Sequence, residues 1–244
     1  MLIQHWGVGH AQYVWDVRQN PRVRDVFEHI WETDDLLVSF DGVSYHLPPE
    51  AIRTGWYRGN DWLHVDQSYT DNSFKCVQGW VTANKVNPGD ATLTVLVGSH
   101  LIHGEFQKAF GVTDKDNWYK LTEEQKQFYL DRGCSLERIT CPAGSLVLWD
   151  SRTVHCGTEA MKTRKEPNLR NVAYVCYQPR SKATTKAIEK RIKVFEELRM
   201  TSHWPANPKM FGKHPRTYGA ELPDVTPLSR PVLNEVGRKL VGYV

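Results

Sequence analysis

Between Leu36 and Tyr177 the chain is cut into short apolar runs by turn-forming residues, and this punctuation constrains the fold more than any other feature. The runs are LLVSF from Leu36, DWLHVD from Asp61, FKCVQGWVTANKV from Phe74, ATLTVLV from Ala91, LERIT from Leu136, SLVLW from Ser145 and NVAYVCY from Asn171. They are rich in β-branched and aromatic residues, which suit a pleated, half-buried surface. Asp41-Gly42, Pro48-Pro49, Asn87-Pro88-Gly89 and Pro142-Ala143-Gly144 separate them. Such residues set turns that strand and helix interiors do not tolerate. About eight short strands joined by tight turns predict a mainly β fold, two sheets packed as a jelly roll with helices on the outside.

Helical patterns flank and interrupt the strands. In NPRVRDVFEHIWE, Asn20 is a fitting N-cap, Pro21 suits the first helical position, and Val23, Val26, Phe27 and Ile30 form one apolar stripe. Thr122 and Gln125 have the spacing of a capping box, and Gly133 is a plausible stop. A basic helix is expected over roughly Lys182 to Arg199, with Ile188, Ile192, Phe195 and Leu198 on one face. From Ser202 the chain is rich in Pro and Gly and reads as an irregular wrap. There is no internal repeat and no linker that demands a second domain. The expectation is one domain over 1–244, with a core of about 36–180 and a basic helix and wrap over 181–244.

At 244 residues, 40% of them hydrophobic, the chain can bury a full core without staples. The five cysteines are odd in number and contain no C-x-x-C, so neither a disulfide framework nor a zinc knuckle is indicated. Reduced thiols fit a cytoplasmic setting. No apolar run approaches the ~18 residues of a membrane span, and the start MLIQHWGVGH lacks a signal-peptide pattern. A soluble intracellular protein is expected. Residues 181–244 hold 12 Lys/Arg against 6 Asp/Glu, within a net charge of only +3. A solvated helix face explains that excess most simply, an anionic partner is the sharper reading, and nucleic acid is not expected.

Chemistry concentrates in WLHVDQSY, residues Trp62 to Tyr69. In a strand, residues i and i+2 point to one face, so His64 and Asp66 present a nitrogen and a carboxylate side by side. By themselves they are as well explained as a hydrogen-bonded core pair. Two-His-one-carboxylate sites hold iron with one face open, and a third ligand would come from elsewhere. His155, in GSLVLWDSRTVHCG, lies at the far end of an apolar strand where a loop begins. Iron of this kind needs a chelating, electron-donating cosubstrate. A 2-oxoacid does this and leaves a distal carboxylate, for which Arg170 at the start of RNVAYVCYQPR is a fitting bidentate partner.

The stretches WLHVDQ, GWVTANKVNPGDATLTVLVGSH, GSLVLWDSRTVHCG and RNVAYVCYQPR, in this order, resemble the phytanoyl-CoA dioxygenase-like family of iron(II)/2-oxoglutarate oxygenases. SFDGVSYHLPPE before them and RMTSHWP after them add to the likeness. The resemblance implies a double-stranded β-helix, iron held by His64, Asp66 and His155, and 2-oxoglutarate bound by Arg170. It places Trp80 beside the cosubstrate, with Gln78 two residues earlier on the same strand face. Gly157 falls where relatives often carry a serine for the cosubstrate carboxylate, a contact that Thr158 or Tyr174 would have to replace. The implied reaction consumes O2 and 2-oxoglutarate, releases succinate and CO2, and hydroxylates a small-molecule or acyl-type substrate. Related halogenases lack the carboxylate ligand, so Asp66 favours hydroxylation. Relatives usually carry further helices before the tract at which this chain begins, which implies a short or truncated member.

Other residues divide between site and scaffold. Trp56, Tyr57 and Tyr69 would wall a substrate pocket or simply pack. Arg152 would reach substrate, or pair with Asp150 to brace the loop that carries His155. Two other functional classes stand beside the oxygenase: a jelly-roll metalloprotein doing isomerase or hydrolase work, and a non-catalytic binding module.

Overall fold

The apolar runs become strands, and short strands that the turn pattern does not announce lie between them. The structure, a computed structural model, describes residues 2–244. In chain order the strands are β1 (Leu2–Ile3), β2 (Leu36–Val38), β3 (Val43–His46), β4 (His64–Val65), β5 (Val77–Thr82), β6 (Thr92–Val97), β7 (Tyr119–Lys120), β8 (Ser135–Arg138), β9 (Leu146–Asp150), β10 (His155–Thr158) and β11 (Arg170–Pro179). The helices are α1 (Gln12–Gln19), α2 (Pro21–Trp31), α3 (Pro49–Ile52), α4 (His103–Phe110), α5 (Glu123–Leu130), α6 (Thr185–Glu196) and α7 (Glu235–Val241). Helix makes up 28% and strand 22% of the chain, so the fold is mixed α/β rather than mainly β. Several helices arise where periodicity is weak. Among the described residues no helix is long and apolar enough to cross a membrane.

The chain forms two compact units, each assembled from separate stretches: residues up to Tyr45, Gln78–Val81 and Asn171–Val244 in the first, His46–Val77 and Thr82–Arg170 in the second. In the first unit, strands run in the order β1-β3-β11-β5, with β2 pairing antiparallel to β11. Asn20 caps α2 by accepting from Arg22 N–H, and Pro21 opens it. Val23 and Phe27 are buried, but Val26 is 37% exposed, so the apolar stripe is narrower than the sequence predicts. His10, Trp15, Phe40 and Phe195 stack around one centre.

The basic C-terminal region is used internally. Arg191 is fully buried on α6 and donates to the carbonyls of Val38 (2.6 Å), Pro205 (2.9 Å), Leu240 (2.9 Å) and Val241 (3.0 Å). Arg180 donates to the carbonyls of Lys239, Gly242 and Tyr243. Helix ends leave carbonyls without intrahelical partners, and cations there also suit the helix dipole. The expected irregular wrap therefore ends in a helix, α7, held at its last turn by two arginines.

His10 makes the first unit acid-sensitive. Its Nε2–H donates to Arg199 O (2.7 Å) while its Nδ1 accepts from the Trp15 indole (3.4 Å), which specifies the neutral ring. Burial pushes it down to about 3. The unfolded chain takes up this proton near 6.5, so the contribution is intact above that pH and is lost as pH falls toward 3. Denaturant titrations between about pH 6 and about pH 4 are expected to lose on the order of 1 kcal/mol per pH unit from this site. His10→Asn should flatten the slope by that amount; an unaltered slope would rule the assignment out.

In the second unit the sheet order is β7-β4-β10-β6-β8. His155 pairs with His64 across β10 and β4 and with Val95 across β10 and β6. The ends of β9 are fixed by Thr82 N–H to Ser145 O (3.1 Å) and Ser151 N–H to Cys76 O (3.0 Å). The Thr122–Gln125 capping box forms at the start of α5. Behind the sheet, Leu63, Val65, Tyr69, Leu96, Phe106, Phe128, Tyr129, Val154 and Cys156 belong to one apolar core.

Candidate metal centre

His64, Asp66 and His155 come together, each buried, with one donor atom from each lying within 4.8 Å of the others. The strand that carries the first two is shorter than the sequence predicts. β4 ends at Val65, and Asp66 sits in the bend that follows, where its N–H and that of Gln67 both donate to Ser151 O at 3.1 Å. Ser151 Oγ donates to Gln67 Oε1, and the Gln67 amide donates to Asp71 O and Ser73 O, which fixes the bend. Val65, between the two, is fully buried in the core behind the sheet. His155 is not the end of β9. It opens β10, after a turn closed by Thr153 N–H to Asp150 O.

Both imidazoles are oriented in the same way. His64 Nδ1 donates to Trp62 O (3.2 Å) and His155 Nδ1 donates to Thr153 O (2.8 Å). A carbonyl only accepts, so each Nδ1 carries hydrogen and each neutral ring keeps its lone pair on Nε2. Those two lone pairs face one carboxylate: His64 Nε2 is 3.6 Å from Asp66 Oδ1, and His155 Nε2 is 3.5 Å from Asp66 Oδ2. Two imidazole nitrogens and a carboxylate converging in a buried site are a set that a cation would suit. At metal–ligand distances of about 2.0–2.2 Å, donors so spaced can share one ion. Two imidazole nitrogens and a carboxylate are the donor set of a facial iron site, and backbone carbonyls orient the ligands from behind. The residues present fit the metal.

Two indoles lie against the His64 imidazole. Trp62 stacks on His64 (centroids 4.7 Å, planes 11° apart), and its indole N–H donates to Gly157 O at 2.8 Å. Trp118 lies 5.7 Å from His64 at 36°. They are 39% and 53% exposed. Trp118 has φ +79°, in the left-handed region, a conformation that costs a bulky residue about 1–3 kcal/mol. Position 62 is legible in the sequence, two residues before His64 on the same strand face; position 118 carries no signal there. On the other side, Trp149 lies 5.3 Å from His155.

With that geometry established, a family model described as phytanoyl-CoA dioxygenase (PhyH) matches residues 6–166. The chain belongs to the phytanoyl-CoA dioxygenase family. That is the family its motifs resemble. The PhyH-family chain is 33% identical over 209 residues to "Ava biosynthesis cluster protein O" of Aspergillus versicolor, covering 82% of this chain and 65% of that protein. It spans, then, a little less than two thirds of the curated relative's length. Among solved structures it is similar in fold to GlcNAc Inducible Gene 2 (GIG2) of Candida albicans, with a TM-score of 0.59, 14% identity, and coverage of 80% of this chain and 57% of that one. EctD of S. alaskensis, solved with 2-oxoglutarate and 5-hydroxyectoine, matches with a TM-score of 0.46 and 15% identity over 69% of this chain and 52% of that one.

The other residues singled out in this PhyH-family sequence are sorted by the structure. Arg170 is buried at the start of β11, with Nη1 donating to Ala91 O (3.2 Å) one residue before β6. The loop leading to it is pinned by Arg164, which pairs with both Glu50 and Asp90. Asn168 donates to the same Asp90 carboxylate and to Lys85 O. A Cβ on Gly89, at φ +87°, would come within 2.8 Å of Arg164 Cβ, so this turn needs a glycine. Near Arg170, burial foremost pushes the His46 imidazole down to about 3. Trp80 is fully buried on β5. The Gln78 side chain hydrogen-bonds the Asp41 carboxylate.

Two residues that the sequence left between site and scaffold have scaffold contacts. Tyr69 is 1% exposed inside the apolar core, stacked on Phe106 with its hydroxyl on that of Tyr129, so it packs and walls no pocket. Arg152 donates to both Asp150 oxygens and to Asn72 O, which makes it a brace for the turn before His155. Trp56 is partly buried, bridged to Ala160 and covered by the Arg164 guanidinium at 5.7 Å. A side chain at Gly157 would point toward Trp62 (Cζ2 3.9 Å). Thr158 Oγ1 bonds Thr94 Oγ1, and the Tyr174 hydroxyl bonds Ser44. Cys156 alternates into the core, where burial pushes its thiol up to about 12 and keeps it protonated.

Proposed function

We propose that this PhyH-family chain is an iron(II)/2-oxoglutarate-dependent dioxygenase that hydroxylates a small-molecule or acyl-type substrate. The observation that carries the reading is the convergence of His64 Nε2, His155 Nε2 and the Asp66 carboxylate, with both Nδ1 atoms held by carbonyls. In this reading those three residues hold iron(II), and Arg170 takes the distal carboxylate of 2-oxoglutarate. Trp80 and Gln78 are the proposed cosubstrate neighbours. Iron(II) with 2-oxoglutarate and O2 would supply the oxidation that turns a substrate C–H into C–OH, with succinate and CO2 released. The protein's part is orientation. The Trp62 and Thr153 carbonyls aim the imidazoles, the Ser151 carbonyl fixes the Asp66 bend, and the clip through Arg164 holds the approach to Arg170.

The same proposal takes the core as a double-stranded β-helix, or jelly roll. In its support, β3, β4, β5 and β6 alternate between the two sheets, as do β10 and β11. Residues 1–244 are read as one oxygenase domain, since neither unit is a continuous stretch of chain. The five free thiols suit a cytoplasmic location.

Succinate release from 2-oxoglutarate with added iron(II) and ascorbate tests the reaction. No turnover, coupled or uncoupled, by folded metal-loaded protein would overturn it. Arg170→Met is expected to raise the KM for 2-oxoglutarate roughly 100-fold by removing a charge-assisted, bidentate contact, with metal affinity unchanged. An unchanged KM would remove Arg170 from the cosubstrate site.

A further inference from the structure

Trp62 and Trp118 are not needed where they stand for core packing. Their rings meet the same metal-centre imidazole, His64, and both keep a large part of their surface in solvent. The Trp62 indole N–H is already used, donating to Gly157 O on the strand opened by His155. What Trp62 offers outward is therefore carbon and π surface.

Trp118 is held more tightly than an exposed side chain requires. On one side Asn117 Oδ1 accepts from Ser68 N–H (3.1 Å), and Ser68 Oγ donates to Asp114 O (2.7 Å). On the other side Tyr119 pairs with Val65 and Lys120 with His64. The segment that carries Asp66 thus clamps both neighbours of Trp118 and forces the residue between them into the left-handed region. Glycine would satisfy that backbone without strain. A bulky indole in a strained conformation that leaves half its surface in water is explained by what the ring meets rather than by what it buries.

We propose that Trp62 and Trp118 form an aromatic mouth to the metal centre, and that it selects a substrate presenting a flat, apolar ring system. Two indoles give such a group stacking surface that a saturated, non-planar group of equal size cannot use. The inference rests on the oxygenase reading for its site.

The test is equilibrium binding of 2-naphthol and of its saturated counterpart, decahydro-2-naphthol, to protein loaded with nickel(II) and 2-oxoglutarate, followed by ligand-observed NMR. Wild type should bind the flat probe about tenfold more tightly than the saturated one. Trp118→Gly, which relieves the backbone, should melt no lower than wild type and lose that preference, and Trp118→Phe should keep most of it. Trp62→Phe should keep it and Trp62→Ala lose it. Equal affinities of wild type for the two probes, no binding of 2-naphthol, or an undiminished preference in Trp118→Gly would overturn the proposal. Succinate release is measured separately: its absence alongside an intact ring preference removes the oxygenase reading and leaves the mouth standing.

Discussion

Asp66→Ala is expected to leave the protein folded and to weaken divalent-metal binding by at least about 100-fold. The carboxylate is the one anionic donor of the three, and it faces both Nε2 atoms at 3.5–3.6 Å. Changes to the groups that merely orient ligands cost about 10–100-fold in affinity, so loss of a ligand should cost more. Wild type at 100 times its metal Kd should gain about 2.7 kcal/mol of stability, and Asp66→Ala should gain almost none. Thermal melts with and without nickel(II), beside calorimetric titration, read both quantities. Equal metal-induced shifts in the two proteins would mean that the ion sits elsewhere.

Arg191→Met should destabilise the fold by about 3–5 kcal/mol, a larger effect than any surface change. Methionine fills much of the aliphatic space but donates nothing. Four carbonyls that Arg191 now satisfies, at Val38, Pro205, Leu240 and Val241, lose their donor inside the protein. A buried acceptor left alone costs about 1–3 kcal/mol, and relaxation or entering water recovers part of the sum. Arg191→Lys should rescue little, because one ammonium cannot spread its donors over acceptors on separate segments. Urea denaturation gives the stability, and amide exchange at Gly242 and Tyr243 should accelerate first, since α7 loses its cap. A loss below about 1 kcal/mol would show that α7 does not depend on this arginine.

Much of the site is legible in the sequence because it depends on short-range rules. The H-x-D spacing places two donors close together, Val65 packs away from them, and the capping box and the Asn20 cap form where their residues stand. The long apolar runs become β2, β5, β6, β8, β9 and β11. What is not legible depends on partners distant in the chain. β4 ends at Val65 rather than Asp66 because Ser151 captures two successive N–H groups there. β1, β7 and α7 are too short to carry a periodic signal, and they exist because strands or arginines elsewhere receive them. Tyr69, adjacent to the motif, reads equally as a pocket wall or a packing residue, and the turn after the Asp66 bend sets it against Phe106 and Tyr129.

By itself, then, the sequence determined the donor types, the spacing of the first two, and the family of the chain, since these are properties of local residue order. Tertiary structure alone decided that His155 opens β10 opposite His64, that both imidazoles keep Nε2 for the centre, and that Trp118 stands strained against the His64 imidazole. The physical reason is range. Turn chemistry and side-chain alternation act over a few residues, whereas strand register, ring orientation and backbone strain are set by hydrogen bonds between segments that meet only in the folded chain.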